Sequence, residues 1–170
     1  MPLRRRAFRE LQAKVFQGTV YRHLSSQYGS LDTSGSIKAG GRWNPKGEFA
    51  ALYTALTEET ALAELQRLAE RQGLSLDDLA PRDLAAIRVS LSRVLDLTDK
   101  EILAKLGITQ DEIARNDVSL CLEISRAAHR LGFEAILAPS ATRRGTVLVV
   151  YTEFLLPASE LEVANRKVFL

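Results

Sequence analysis

The sequence holds side chains whose types and placement suit chemistry: Arg22, Arg42, Trp43, Tyr53, Glu64 and Ser140. Arg22 lies in "TVYRHLS" (19–25), where alternation puts it on one face with Val20 and Leu24. A guanidinium among apolar neighbours needs an anion or several acceptors, supplied either by a ligand or by the protein's own carboxylates. Glu64 falls on the margin of an apolar helical stripe, Ala61, Leu62, Leu65, Leu68 and Ala69, while Glu59 and Glu70 point away. A partly desolvated carboxylate there pairs with a cation, works as a catalytic group, or reaches out to solvent. Arg42 and Trp43 sit in "GGRWNPKG" (40–47), a glycine-flanked loop where backbone can approach a ligand closely, and Tyr53 lies on the strand ahead of the Glu64 helix. Arginine forks pair with pyrophosphate oxygens and flat rings stack on a nucleobase or nicotinamide; for both rings the alternative is core packing. Ser140 follows a proline in "APSATRRG", with Arg143 and Arg144 behind it, either as a site residue or as an ordinary turn serine.

These residues must be held by a scaffold that the pattern describes in outline. A short helix is predicted over 6–17, a strand over 19–25, a long loop from Gln27 to Gly47 and a second strand over 50–56. "TEETALAELQRLAERQG" predicts a helix with Thr57 as N-cap, two glutamates in its first turn and Gly73 past its end. "RDLAAIRVSLSRVLDLT" reads as strand material with a turn, "KEILAKLG" and "TQDEIARN" as short helices, and "LCLEISRAAHRLG" as a longer one. Strands return in "EAILAP", "TVLVVYTEF" and "SELEVANRKVFL". The order is mixed rather than strictly alternating, which predicts an α+β domain and argues against a doubly wound parallel sheet.

At 170 residues, with 46% apolar and 26% charged residues, the chain fits one domain with a real core. No apolar run reaches membrane-spanning length, and the basic start "MPLRRRAFRE" lacks the apolar core of a secretion signal, so a cytoplasmic protein without a membrane partner is expected. A net charge of +2 gives no electrostatic case for direct nucleic-acid binding; the Arg4, Arg5, Arg6 cluster reads as a solvated tail or a local phosphate contact. Cys121 is the single cysteine, and with His23 and His129 as the two histidines no metal site is expected. Neither the dinucleotide fingerprint nor the phosphate loop occurs, nor does a nucleophile elbow or a paired-histidine zinc helix.

Together, "YRHLSSQYG" (21–29), "GGRWNPKG" (40–47), "LYTALTEETALAEL" (52–65) and "ILAPSA" (136–141) resemble the RES domain, a family named for an arginine, a glutamate and a serine. The resemblance covers most of the chain and implies a single RES domain over 1–170, similar in fold to ADP-ribosyltransferases, with central mixed or antiparallel β-sheets flanked by helices. It implies NAD as substrate. Arg22 and Arg42 are then expected to contact the dinucleotide, Tyr53 and Glu64 to line the reacting end, Ser140 to be the family's serine, and Trp43 matches the motif. Many members are toxins of type II toxin–antitoxin pairs. The implied partner is an Xre-type helix-turn-helix antitoxin that blocks the active site, in an oligomer with the toxin. The sequence departs from many relatives at Val147, where an asparagine is expected, on the serine side of the pocket.

Cleaving the nicotinamide–ribose bond passes through an oxocarbenium-like transition state that needs a carboxylate near the anomeric carbon. Glu64 is the candidate, with Arg22 and Tyr53 as the further catalytic candidates. Water, phosphate or a protein side chain as acceptor share this first step. NAD degradation by water or phosphate is expected, with protein ADP-ribosylation as the alternative and a non-catalytic nucleotide- or RNA-binding module as the reading from another class.

Overall fold

Strand β1 (Lys14–Ser25) is longer than its β-branched centre predicts, because its first residues find ladder partners: Lys14 pairs with Val94 and Phe16 with Leu91. The helix expected over 6–17 is therefore reduced to a 3-10 helix, Arg5–Glu10, which buries Phe8. This computed structural model describes residues 3–170; Met1 and Pro2, the start of the basic stretch, lie outside the described residues.

Helix α1 (Ser34–Ala39) interrupts the expected loop, and strand β2 (Leu52–Ala55) leads into helix α2 (Glu58–Gln72). The ends of α2 are set as the sequence predicts. Thr57 Oγ1 accepts from the Thr60 N–H, Glu58 and Glu59 complement the helix dipole, and Gly73 ends the last turn. Its buried face is narrower than the apolar stripe: Leu62 and Leu68 are only partly buried, while Thr60 and Ala63 are covered. Strand β3 (Arg82–Asp96) then runs unbroken for 15 residues. The expected turn is absent: Ala85, Ile87, Val89 and Leu91 alternate inward while Arg88 stays outside, and a register shift opposite Lys14–Phe16 lets Val94 join the same cluster within one strand.

Helices α3 (Lys100–Leu106), α4 (Gln110–Ile113) and α5 (Ser119–Arg130) follow, then strands β4 (Ala135–Pro139), β5 (Thr146–Val150) and β6 (Glu160–Val168). "YTEF" does not extend β5; Thr152–Phe154 is a 3-10 helix. Strand order is β1-β2-β5-β4-β3-β6, and β1 also pairs with β3, so five strands close into a ring with β6 outside it on β3. Among the described residues, only β3 and β4 pair in parallel. The architecture is α+β, a mixed closed sheet flanked by helices.

All five ring strands feed one apolar cluster, including Val20, Leu24, Leu52, Ile87, Ala135 and Leu148, which fills the ring. Each such large aliphatic contributes about 1.5–3 kcal/mol of burial free energy. Outside it, α3, α4 and α5 press Leu106, Ile113 and Ile124 against Ile136 and Val149, while α2 packs Ala61 against Ala55 and Leu84. Among the described residues no helix is long and apolar enough to cross a membrane.

One buried carboxylate ties several elements together. Glu134 is 0% exposed and accepts from the Ser92, Arg93 and Leu156 N–H groups and from the Ser159 hydroxyl. Burial alone pushes its carboxyl upward, but these donors, Ser159 foremost, outweigh it and hold the group below the usual carboxylate range.

Candidate active site

A cleft of about 670 Å³ opens where α2 faces the 39–46 segment, with the outer side of β1 and β2 as its base. Its position follows from strand parity. Val20 and Leu24 enter the ring, so Tyr21 and His23 point outward and line the cleft. A smaller hollow of about 440 Å³ beside α3 and α4 gathers none of the expected site residues.

The glycine-flanked turn forms one wall. Its Gly41 N–H bonds to the Asn44 carbonyl at 2.9 Å, and the Tyr53 hydroxyl accepts from the Trp43 N–H at 3.0 Å while donating to Asn44 Oδ1 at 2.6 Å. Asn44 Nδ2 donates to the Ser36 and Phe49 carbonyls, and the Tyr151 hydroxyl donates to the Trp43 carbonyl at 2.9 Å. Position 41 must be glycine here, since a Cβ would stand 2.4 Å from the Tyr53 hydroxyl oxygen. Trp43 is 1% exposed and belongs to the apolar core beneath the turn, so packing accounts for nearly all of its surface. Tyr53 presents its ring to the cleft; burial holds its hydroxyl well above the ordinary phenol value, so that hydroxyl stays neutral and braces the turn.

Opposite this wall, Glu64 lines the cleft from α2, half-buried. Ser140, 1% exposed at the end of β4, donates its hydroxyl to Glu64 Oε1 at 2.5 Å. Ser140 Oγ also contacts Thr142 Oγ1 and accepts from the Thr142 N–H, and its own N–H bonds to the Gly145 carbonyl, so the β4–β5 hairpin fixes the serine that fixes the acid. The other carboxylate oxygen of Glu64 has no hydrogen-bond partner among the described residues.

The two expected dinucleotide arginines are placed differently. Arg42 lines the cleft, and its Nη1 donates to the Ile113 and Arg115 carbonyls at 2.8 and 2.7 Å, which pins the guanidinium to the end of α4. The adjacent Cys121 thiol is buried; burial pushes its pKa up and Arg42 pulls it back, so it remains protonated. Arg22 lies on the other side of β1 from Tyr21 and His23 and is not part of the cleft lining. Its Nη1 and Nη2 donate to the Ser30 and Asp32 carbonyls at 2.6 Å each, clasping the segment that leads into α1 and the turn wall. Burial lowers its pKa to about 10, which leaves it charged at neutral pH.

Other cleft residues were not singled out from the sequence. His23 Nδ1 faces Arg82 Nη2 at 2.7 Å, so it accepts and the ring proton sits on Nε2. Burial, with the Arg82 and Arg22 charges, lowers its pKa to about 3, so it is neutral. The signal for Tyr21 and His23 was the same alternation that placed Arg22. Lys46, Arg67 and Arg71 also line the cleft, and Arg67 was legible as the residue one helical turn beyond Glu64. With Arg42 they surround a single lining carboxylate, Glu64, which makes the cleft electropositive. Among the described residues no group of three or more His, Cys, Asp or Glu side chains is placed to hold a metal ion.

The chain that carries this braced glycine turn, serine-fixed acid and electropositive cleft is similar to known proteins. The chain is 31% identical over 137 residues to the NAD(+) phosphorylase MbcT of Mycobacterium bovis and of Mycobacterium tuberculosis, spanning 79% of this chain and 74% of the relative. A probable NAD(+) phosphorylase of Mycobacterium tuberculosis is 27% identical over 149 residues, 88% of this chain and 71% of that one. In structure, the chain is similar to the crystal structure of the Mycobacterium tuberculosis MbcT–MbcA toxin–antitoxin complex, with a TM-score of 0.87 and 28% identity over 97% of this chain and 91% of that chain. The RES domain matches residues 19–166, the span that carries the turn, the acid, the serine and, apart from the first residues of β1, the strands of the ring, and the chain belongs to the RES domain family.

Proposed function

We propose that this chain is an NAD(+) phosphorylase and the toxin of a toxin–antitoxin pair, acting in the cytoplasm as one RES domain. The observation that carries the reading is the Glu64–Ser140 pair, an acid held at one oxygen by a buried hydroxyl and open at the other, in a cleft whose other charged lining residues, Arg42, Lys46, Arg67 and Arg71, are all cations. The relatives named NAD(+) phosphorylase support the choice of phosphate as acceptor.

In the reaction, the C–N bond between nicotinamide and ribose breaks as positive charge develops on the anomeric carbon. Glu64 stabilises that charge, and its free oxygen accepts from a ribose hydroxyl. Ser140 keeps the carboxylate from rotating away. Arg42 supplies a fixed fork for the diphosphate, preset by its bonds to the end of α4. Tyr53 lines the reacting end with its ring, and Trp43 supports the turn from below. Arg22 serves as a positioning residue: by holding Ser30 and Asp32 it sets the entry to the turn wall. Nicotinamide leaves as a neutral base, so no strong general acid is needed.

The partner that fits this reading is an Xre-type helix-turn-helix antitoxin that occludes the cleft, in line with the toxin–antitoxin complex to which the fold is similar. The test is Glu64→Gln, which keeps an oxygen for Ser140 while removing the charge and the second acceptor oxygen. Phosphate-dependent nicotinamide release is expected to fall by about a hundred- to thousandfold with the melting temperature unchanged, the usual loss for one electrostatic catalytic group. Growth arrest on expression without a partner disappears in the same variant. Undiminished turnover by Glu64→Gln refutes the mechanism.

A further inference from the structure

Helix α2 presents Thr60, Glu64 and Arg67 at i, i+4 and i+7, along one side. Each meets the β4–β5 hairpin: Thr60 abuts Gly145, Glu64 accepts from Ser140, and Arg67 Nη1 donates to the Ala141 carbonyl at 3.4 Å. Arg67 Nη2 also donates to Asn116 Oδ1 at 3.0 Å. Two neutral acceptors therefore fix the plane of this guanidinium, and of its five N–H groups the remaining three have no protein partner among the described residues. Nor does Arg67 form an ion pair with any carboxylate among the described residues, Glu64 included. A half-buried, oriented cation that lines the cleft and lacks a counter-charge is a site for an oxyanion.

We infer that Arg67 binds the attacking inorganic phosphate. The inference rests on the phosphorylase reading above and extends it to the acceptor. Arg42 stands on the opposite wall, where it serves the diphosphate in that reading; Arg67 lines the cleft one turn from the acid, which on the same reading sets it beside the carbon that reacts. Phosphate held there attacks through an unprotonated oxygen. A C–O bond forms at the anomeric carbon while the C–N bond breaks, its electron pair stays on the nicotinamide nitrogen and cancels the ring's positive charge. The products are neutral nicotinamide and ADP-ribose phosphorylated at that carbon, with no net proton transfer when the dianion reacts. Bound as a fork, Arg67 also favours phosphate over water by concentrating the anion next to the carbon.

The experiment compares wild type, Arg67→Gln and Arg67→Lys. Nicotinamide release is followed against inorganic phosphate at saturating NAD, and NAD affinity is measured by calorimetry in phosphate-free buffer. Arg67→Gln is expected to raise the phosphate KM by about 10- to 100-fold, the loss typical of hydrogen bonds to a charged group, and to leave the NAD Kd within about twofold. Arg67→Lys, which keeps the charge without the fork, falls between, and it carries the comparison if the glutamine variant melts early. An unchanged phosphate KM overturns the inference, and so does an NAD Kd that rises in step, which would place Arg67 on the diphosphate. Wild-type protein that releases nicotinamide no faster with phosphate than without it overturns the phosphorylase reading itself, a result that needs no variant.

Discussion

Ser140 and Glu64 are 76 positions apart in the chain, yet one hydrogen bond makes them a unit. That bond has a kinetic consequence distinct from stability. Ser140→Ala frees the carboxylate to swing, and misplacement of a reacting group by an ångström costs about a hundredfold, so kcat should drop by about ten- to a hundredfold with the NAD KM little changed. Steady-state nicotinamide release checks this; a lower melting temperature with kcat intact would make Ser140 a turn serine only. At this scale, residue type and local spacing carried much of the reading. Glu64 was visible as a half-turned acid, and Arg22, Val20 and Leu24 do share one side of β1. What spacing could not supply was destination. Arg22 is satisfied by backbone carbonyls from a loop whose path the sequence leaves open, and Tyr53 links the Trp43 N–H to Asn44, a residue with no distinguishing pattern of its own.

Among the elements, the β4–β5 hairpin matters most because it delivers Ser140 and Ala141 to α2. Gly145 makes that docking possible. Its φ is +79°, and an added Cβ would stand 2.1 Å from Thr60 Oγ1. Gly47 has nearly the same backbone, φ +78°, but an added Cβ there meets nothing within 4 Å. Alanine at either position bears a left-handed strain of about 1–2 kcal/mol. Gly145→Ala should lose more stability than Gly47→Ala in urea unfolding and should also slow NAD turnover, because it pushes the hairpin and its serine off α2. Equal losses in the two variants would disprove the docking argument. Elements set by local rules were read well, α2 best of all, since Thr57 and Gly73 mark its ends in the sequence itself. Elements set by pairing were not: the first residues of β1 become a strand only because β3 lies alongside.

For the molecule as a whole, the closed ring makes β3 the shared spine, pairing with β1, β4 and β6. Glu134 stitches its C-terminal part to the segment after β5, and its substitution tests how much the assembly relies on that stitch. Glu134→Gln replaces an acceptor oxygen with an N–H donor aimed at other donors, which costs about 1–3 kcal/mol. The sign with pH follows from the depressed carboxyl pKa. Its stabilisation is complete above the unfolded-state value of about 4.3 and is lost as the pH falls through the lower folded-state value. Urea unfolding should thus separate wild type from Glu134→Gln fully at neutral pH and progressively less in acid; a gap independent of pH would contradict this account. Ring closure was the least legible feature, because it depends on the long-range partnership of β1 with β3 that no local pattern encodes.

The bonds that brace the glycine turn, among Gly41, Trp43, Asn44, Tyr53 and Tyr151, join neutral groups only. Dissolved electrolyte screens attraction between ions beyond about 8 Å at physiological strength and leaves such amide and hydroxyl contacts alone. Rising salinity therefore weakens the pull of this cleft on a polyanion while the outline of its wall stays the same.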